Sequence, residues 1–328
     1  MAQFHTKAVA CFGKKQTAKG TKAAISATDA LAITNFTYTP VLETTTDEYL
    51  GDPATRTAAV TTTDFYAKIE AETPISANAP GVAPAYTAFL EACGANGVVV
   101  ADAPTATPPV NGYVIYTNSA INNTYITCQF RRRSPTITTE KTHSLMDVRG
   151  TLDINIELNK RPMFKFNLIG NVENPTQEAV LEGSFGNQVN PSFLIPPLKQ
   201  GTVTTSAVLF GGKQICLTKF SAQNFFGIDL QRYMFICGSG VQTDTLTAEY
   251  TVEYLEADVA SDTITDELYA KDNTNVALDF TLGTVAGKKM RISIPNGMIK
   301  NIGYGTAGNF ATKVITVAIT GLSTLIFQ

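Results

Sequence analysis

The chain of 328 residues contains no tryptophan, 2 histidines, five cysteines and no long apolar run. The cysteines, at 11, 93, 128, 216 and 237, are odd in number and include no C-x-x-C pair. Neither a disulfide framework nor a zinc site is written in that spacing, and the thiols read as small buried hydrophobes. His5 lies in an N-terminal arm and His143 in a polar strand or turn. Nothing near either gathers a Ser or Cys nucleophile, a base and an acid, so no enzymatic activity and no cofactor or metal are expected. Apolar runs such as residues 97–100 fall far short of the ~20 residues a bilayer span needs, so no membrane partner is expected. Basic excess is missing too: Lys+Arg 25 stand against Asp+Glu 28. Strong, indiscriminate nucleic-acid binding is thereby excluded, since counterion release needs a cationic surface. The first seven residues lack an apolar core followed by a small-residue cleavage site, so synthesis and folding in a cytosol are expected.

What the chain does have is period-two alternation, repeated. Residues 149–158 alternate apolar and polar side chains, turn at 159–162, and return through Phe164, Phe166 and Leu168 to Gly170, which predicts a long antiparallel hairpin with one dry face. Residues 287–294 run the same way, turn through a glycine-rich segment and return over 312–320, which predicts a matching hairpin. Residues 64–72 place Phe65, Ala67, Ile69 and Ala71 on one face and acids on the other, and residues 249–256 form their counterpart. Residues 84–94 read as a short helix, with Pro84 at its start, Gly94 at its end, and Tyr86, Phe89, Leu90 and Cys93 on one stripe. Residues 262–269 read as its second copy, opening on residues suited to a helix N-terminus.

The expected fold is therefore mainly β: two tandem β-sandwich or partly open barrel modules, each with one short α-helix on its sheet. The first module takes residues 1–175 and includes the N-terminal arm; 176–206 form the connection, rich in Asn, Pro, Gln and Gly, and 207–328 form the second module. Residues 31–38 read as a strand that Pro40 ends or confines to an edge. Residues 43–53 read as a polar loop too long for a tight turn.

Two motifs mislead. Residues 303–308 match G-x-G-x-x-G, but the continuation is β-branched and no acid lies about 20 residues on, so a glycine-rich hairpin loop is the reading. Arg131-Arg132-Arg133 is the one compact basic run, and it reads as a solvated patch or as ion-pair partners at a subunit contact.

The run 55–75, followed by the helix 84–94, the strand 111–117 and the hairpin start at Arg149-Gly150, resembles the tail tube proteins of long-tailed bacteriophages. The likeness extends over nearly the whole chain, including 287–294 and Met298. The resemblance implies a structural virion protein, made in the host cytoplasm, whose rings stack into a hollow tube for genome ejection. Single modules of that family form hexameric rings, so two tandem modules imply a trimeric ring with pseudo-sixfold symmetry. Its partners are implied to be copies of itself, the tape measure protein, the tail terminator, and the baseplate or tip proteins, with DNA passing through unbound. Contacts between rings are expected from the 40–56 loop, with Glu43, Asp47, Tyr49, Leu50 and Asp52, and from the apolar segment holding Tyr233 and Phe235. Glu70, Glu72, Asp153, Glu157, Glu249 and Glu253 are the candidate lumen residues, with Lys289 and Arg291 interrupting the acidic wall. Alternation alone equally allows these faces to meet solvent outside a tube. A capsid decoration or tail-completion protein, or a carbohydrate-binding or adhesive β-sandwich, remains the alternative; the last would favour an exposed Trp and Tyr platform.

Overall fold

The computed structural model describes residues 9–48, 58–103, 111–119, 124–133, 139–196, 198, 208–235, 238–245, 248–256 and 265–328. The first half forms β1 (Val9–Lys15), β2 (Ala30–Leu31), β3 (Asn35–Glu48) and β4 (Ala58–Pro74), then helix α1 (Thr87–Ala92). Five strands follow: β5 (Ala95–Val100), β6 (Tyr113–Asn118), β7 (Ile126–Arg133), β8 (Thr139–Glu157) and β9 (Met163–Val172). The connection carries β10 (Thr176–Ala179) and one helical turn, α2 (Gly186–Val189). The second half opens with β11 (Val208–Phe210), β12 (Lys213–Ile215), β13 (Leu217–Gln223), β14 (Ile228–Phe235), β15 (Gly238–Thr245) and β16 (Glu249–Leu255). Helix α3 (Thr265–Lys271) precedes β17 (Leu278–Leu282), β18 (Met290–Ile294), β19 (Gly297–Ala307), β20 (Phe310–Ile319) and β21 (Thr324–Phe327).

The protein is mainly β, with two antiparallel sheets packed face to face and short helices, as the alternation predicts. Within the larger sheet one run of neighbours reads β3-β4-β9-β8-β13-β16-β20-β19. Each half supplies four strands in the same order: two antiparallel arms that lead into a ribbon (β3 and β4, β13 and β16), then the two arms of a later hairpin with the second arm first (β9 and β8, β20 and β19). The halves meet at β8 and β13, where Ile154 to Glu157 pair with Ala222 to Lys219. The smaller sheet, β12-β11-β17-β18-β21-β6-β5, also crosses between the halves, because β21 lies between β18 and β6. Residues 1–175 and 207–328 are thus hydrogen-bonded through both sheets, and one apolar core runs through both.

The centre of that core is aromatic. Phe327 of the final strand meets Tyr86, Tyr116 and Phe164 of the first half at ring-centroid distances of 6.0, 5.8 and 6.5 Å. Each buried ring contributes about 2–3 kcal/mol by apolar transfer, and the edge-on geometry suits the ring quadrupoles. α1 lies over this cluster, with Phe89, Leu90 and Ala92 buried. It stops where Gly94 takes φ +89°, the left-handed position that the sequence assigns to this glycine. The connection packs on the first half: β10 pairs with β8, and the buried Gln188 side chain donates to the Ala30 carbonyl and accepts from the Ala32 N–H.

Four local expectations change. Residues 43–48 are not a loop, because β3 continues through Pro40 to Glu48 and pairs with β4 all the way, Glu48 opposite Ala58. Threonines are β-branched, and a two-stranded ribbon exposed on both faces needs no apolar alternation to form backbone hydrogen bonds. The C-terminal hairpin pairs β20 with β19, not with residues 287–294, of which Met290–Ile294 form β18 in the other sheet. Gly303 and Gly305 carry no side chain, so the alternation of β19 is invisible in sequence. The G-x-G-x-x-G match therefore lies mostly inside a strand, and its last residue, Gly308 at φ +62°, opens the two-residue turn into β20. Among the thiols, Cys11, Cys93 and Cys128 are buried as expected but Cys216 is exposed, and Cys237 lies outside the described residues.

His143 sits on β8 with its ring stacked on Phe130, centroids 4.4 Å apart. Burial, then the charges of Lys141 and Arg132, push its pKa down to about 4. The unfolded chain accepts that proton near pH 6.5, so the folded state is at full stability above this value and loses stability as pH falls towards about 4. NMR titration is expected to place His143 near 4, and His143→Phe to flatten the denaturation midpoint between those pH values; titration of the ring near 6.5 would contradict this.

Candidate assembly surfaces

The core-facing residues of the eight-stranded run are the even members of β8 and their partners: Leu152, Ile154 and Ile156 with Phe164 and Phe166, Ile69 and Ala71, and Tyr250 and Val252. Alternation then puts all six acids expected at a lumen on the opposite face: Glu70 and Glu72 on β4, Asp153 and Glu157 on β8, Glu249 and Glu253 on β16. The face is not uniformly acidic. Lys165 of β9 reaches Glu70 at 2.8 Å, Lys219 of β13 reaches Glu157 at 3.5 Å, and Lys300 of β19 pairs with Glu249. Asp153 accepts from Asn167 at 2.8 Å, and Glu253 accepts from the Thr312 hydroxyl at 2.9 Å. A hydrogen bond from Lys160, seconded by Lys219, holds the Glu157 carboxyl below the usual range, and Glu70 holds the Lys165 ammonium above its own. Lys289 and Arg291 do not interrupt this face, because Arg291 lies on β18 of the smaller sheet, bound to Asp279, and Lys289 directly precedes that strand. The residues that break the acidic wall are Lys68 of β4 itself, exposed between the buried Ala67 and Ile69, and Lys165, Lys219 and Lys300 on neighbouring strands, which are not sequence neighbours of the acids they meet.

The ends of the eight-stranded run carry open edges. Among the described residues, β3 pairs with β4 alone and β19 with β20 alone. Those are the counterparts, in the repeated order, of β13 and β8, which do pair with each other. Pro40 removes a donor from β3 and limits which stretch of that edge can pair.

Two ribbons leave the sheet. In the first half β9 accompanies β4 only as far as Tyr66, opposite Asn171, and β3 and β4 continue as a two-stranded ribbon. Glu43 is exposed near its root, Asp47 lies further out on the β3 backbone, and Tyr49, Leu50 and Asp52 are outside the described residues. In the second half β14 and β15 form the corresponding ribbon, with Tyr233 and Phe235 at the outer end of β14. That ribbon leans on β8 and β9. Its Arg232 binds Asp64 in a forked ion pair, one arm at 2.8 Å, and lies 4.5 Å over the Tyr66 ring. The hydrogen bond from Arg232 holds the Asp64 carboxyl below its ordinary value. The outer half of the second ribbon is thus tied to the root of the first. On the other face of the first ribbon, Leu42 and Phe65 stand opposite one another and remain 58% and 46% exposed.

Two members of the basic run are paired inside the chain, while Arg132 stays exposed over the Phe130 ring. Arg131 reaches Glu178 at 2.9 Å, and Arg133 reaches Glu140 at 3.0 Å and Glu182 at 2.9 Å, which ties the connection to β7 and β8.

No protein-family model matches this chain, and no curated protein matches it.

Proposed function

We propose that this protein is the structural subunit of a bacteriophage tail tube: three copies close head to tail into a ring, and rings stack into a conduit for the genome. The observation that carries the reading is the fused repeat of four strands with an open edge at each end. The chain already contains one joint between repeats, β8 against β13, so β19 of one copy against β3 of the next would make the same kind of joint and cover both ends of the eight-stranded run. The internal joint uses four residue pairs, and the five residues Asn35 to Thr39, ahead of Pro40, are enough for a joint of that length. The polar face suits a lumen, since DNA with one charge per about 1.7 Å slides past a surface on which Lys165, Lys219 and Lys300 are already occupied by carboxylates. The ribbons, running out past the end of the sheet, suit contacts between rings. A tape measure protein, a tail terminator and baseplate or tip proteins would meet the lumen and the two tube ends.

Native mass spectrometry and negative-stain microscopy of the purified protein test this. Rings of three chains and stacked tubes are the expected result. Rings of six whole chains would make the second half an added outer unit, and a monomer at every concentration would favour a decoration or adhesive role.

A further inference from the structure

The joint inside the chain also indicates which side chains bury the joint between chains. Where β13 leaves the sheet for its ribbon, the chain passes through Phe225 and Phe226, both buried. The Phe225 N–H donates to the Leu152 carbonyl of β8, and the Ser323 hydroxyl donates to the Phe225 carbonyl. Directly after them Ile228 lies against Gly94, at the C-terminal end of α1, so closely that a Cβ there would overlap its Cδ1. The apolar plug of the joint, supplied by the second half, is therefore received by a strand edge of the first half, β8, together with the end of the short helix beside it.

The same place in the first half, where the β3/β4 hairpin leaves the sheet, carries Leu42 and Phe65. Phe65 continues the dry stripe of Ala67, Ile69 and Ala71 past the point where β9 stops, yet it and Leu42 are exposed. At the other end of the run, the counterparts of β8 and α1 are β19 and α3, which pack on each other through Tyr304 and Glu267, 3.2 Å apart. There Leu268 of α3 is 48% exposed and Tyr304 of β19 is 65% exposed. One end of the molecule has an uncovered plug, and the opposite end an uncovered receiving site.

We infer that Leu42 and Phe65 of one copy seat on Leu268 and Tyr304 of a second copy of this chain, repeating between molecules the contact that Phe225 and Phe226 make within one. The inference rests on the head-to-tail reading above, and the occupant is chosen by the internal precedent and by the continuity of the β19 and β3 edges with it. The surface is heterologous, so its two halves can be damaged separately.

Leu42→Asp and Leu268→Asp are exposed substitutions, and both variants are expected to keep the wild-type circular dichroism and melting temperature. Each alone should raise the concentration needed for ring formation on the order of tenfold or more in sedimentation and native mass spectrometry. Mixed in equal amounts, they should give a dimer of one chain of each, since the mixture holds one pair of intact faces, and growth should stop there. Phe65→Ser serves as a second plug variant if Leu42→Asp melts early. Wild-type assembly of either folded variant, or a mixture that yields no mixed dimer, overturns the inference. If wild-type rings form but never stack, the tube reading fails while this contact stands. If the wild type stays monomeric throughout, both fail.

Discussion

Joining Thr45 to Thr61 through an Asn-Gly turn, in place of residues 46–60, is expected to leave folded rings that no longer stack into tubes. Thr45 and Thr61 stand directly opposite each other in the β3/β4 register, so a two-residue turn closes the shortened hairpin without twisting its strands apart. Glu43, Thr44 and Thr45, where the hairpin is cut, are all exposed and none belongs to the apolar core. Circular dichroism should be unchanged and the unfolding free energy should change by less than about 1 kcal/mol, as for surface changes away from packed features. Assembly is affected quite differently, because Tyr49 and Leu50 are removed from every subunit, and truncated apolar anchors cost about 1 kcal/mol or more each in a buried contact. That loss recurs at every ring. Tubes of ordinary length from the shortened protein would rule this ribbon out as the stacking element, with the β14/β15 ribbon the next to shorten.

Asp266→Ala is expected to be the most destabilising single substitution in the second half. The Asp266 carboxylate is fully buried and accepts from the Lys213 ammonium at 2.7 Å and from the Tyr254 hydroxyl, with the Lys313 ammonium at 3.8 Å. It ties α3 to the β11-β12 hairpin and to β16 and β20 at once. Removing the acid leaves two largely buried cations facing the space it filled, and breaking a buried pair from one side costs about 3–5 kcal/mol. Asp266→Asn keeps an acceptor for the hydroxyl and should cost less. Urea denaturation separates the cases, and a loss below about 1 kcal/mol for the alanine variant would mean that water reaches these lysines. Because α3 carries Leu268, the alanine variant should also weaken ring formation before it unfolds.

Much of the candidate surface was legible from period-two alternation. The acids at 70, 72, 153, 157, 249 and 253 share one face of one sheet because burial of Ile69, Leu152 and Val252 on the other face leaves their neighbours no alternative. The helix at 84–94 was legible from its stripe and its terminal glycine. The ribbon at 40–48 was not, since a segment of threonines and acids has the composition of a loop, and only its partner strand makes it β. Leu42 and Phe65 were hidden in the opposite way: they follow the pattern of core residues, and their exposure depends on where β9 ends, more than 100 residues later.

By itself, then, the sequence determined the class of the fold, the repeat of strands, and which residues of each strand share a face, because side-chain direction along a strand is a local property of the backbone. Only the tertiary structure decided which edges meet. The pairing of β8 with β13, the insertion of β21 between β18 and β6, and the lysines that neutralise the acidic face depend on contacts between distant segments. Any strand of suitable alternation can satisfy the hydrogen bonds of any other, so the choice among partners is made by the packing of the whole core and leaves no mark in a single strand's sequence.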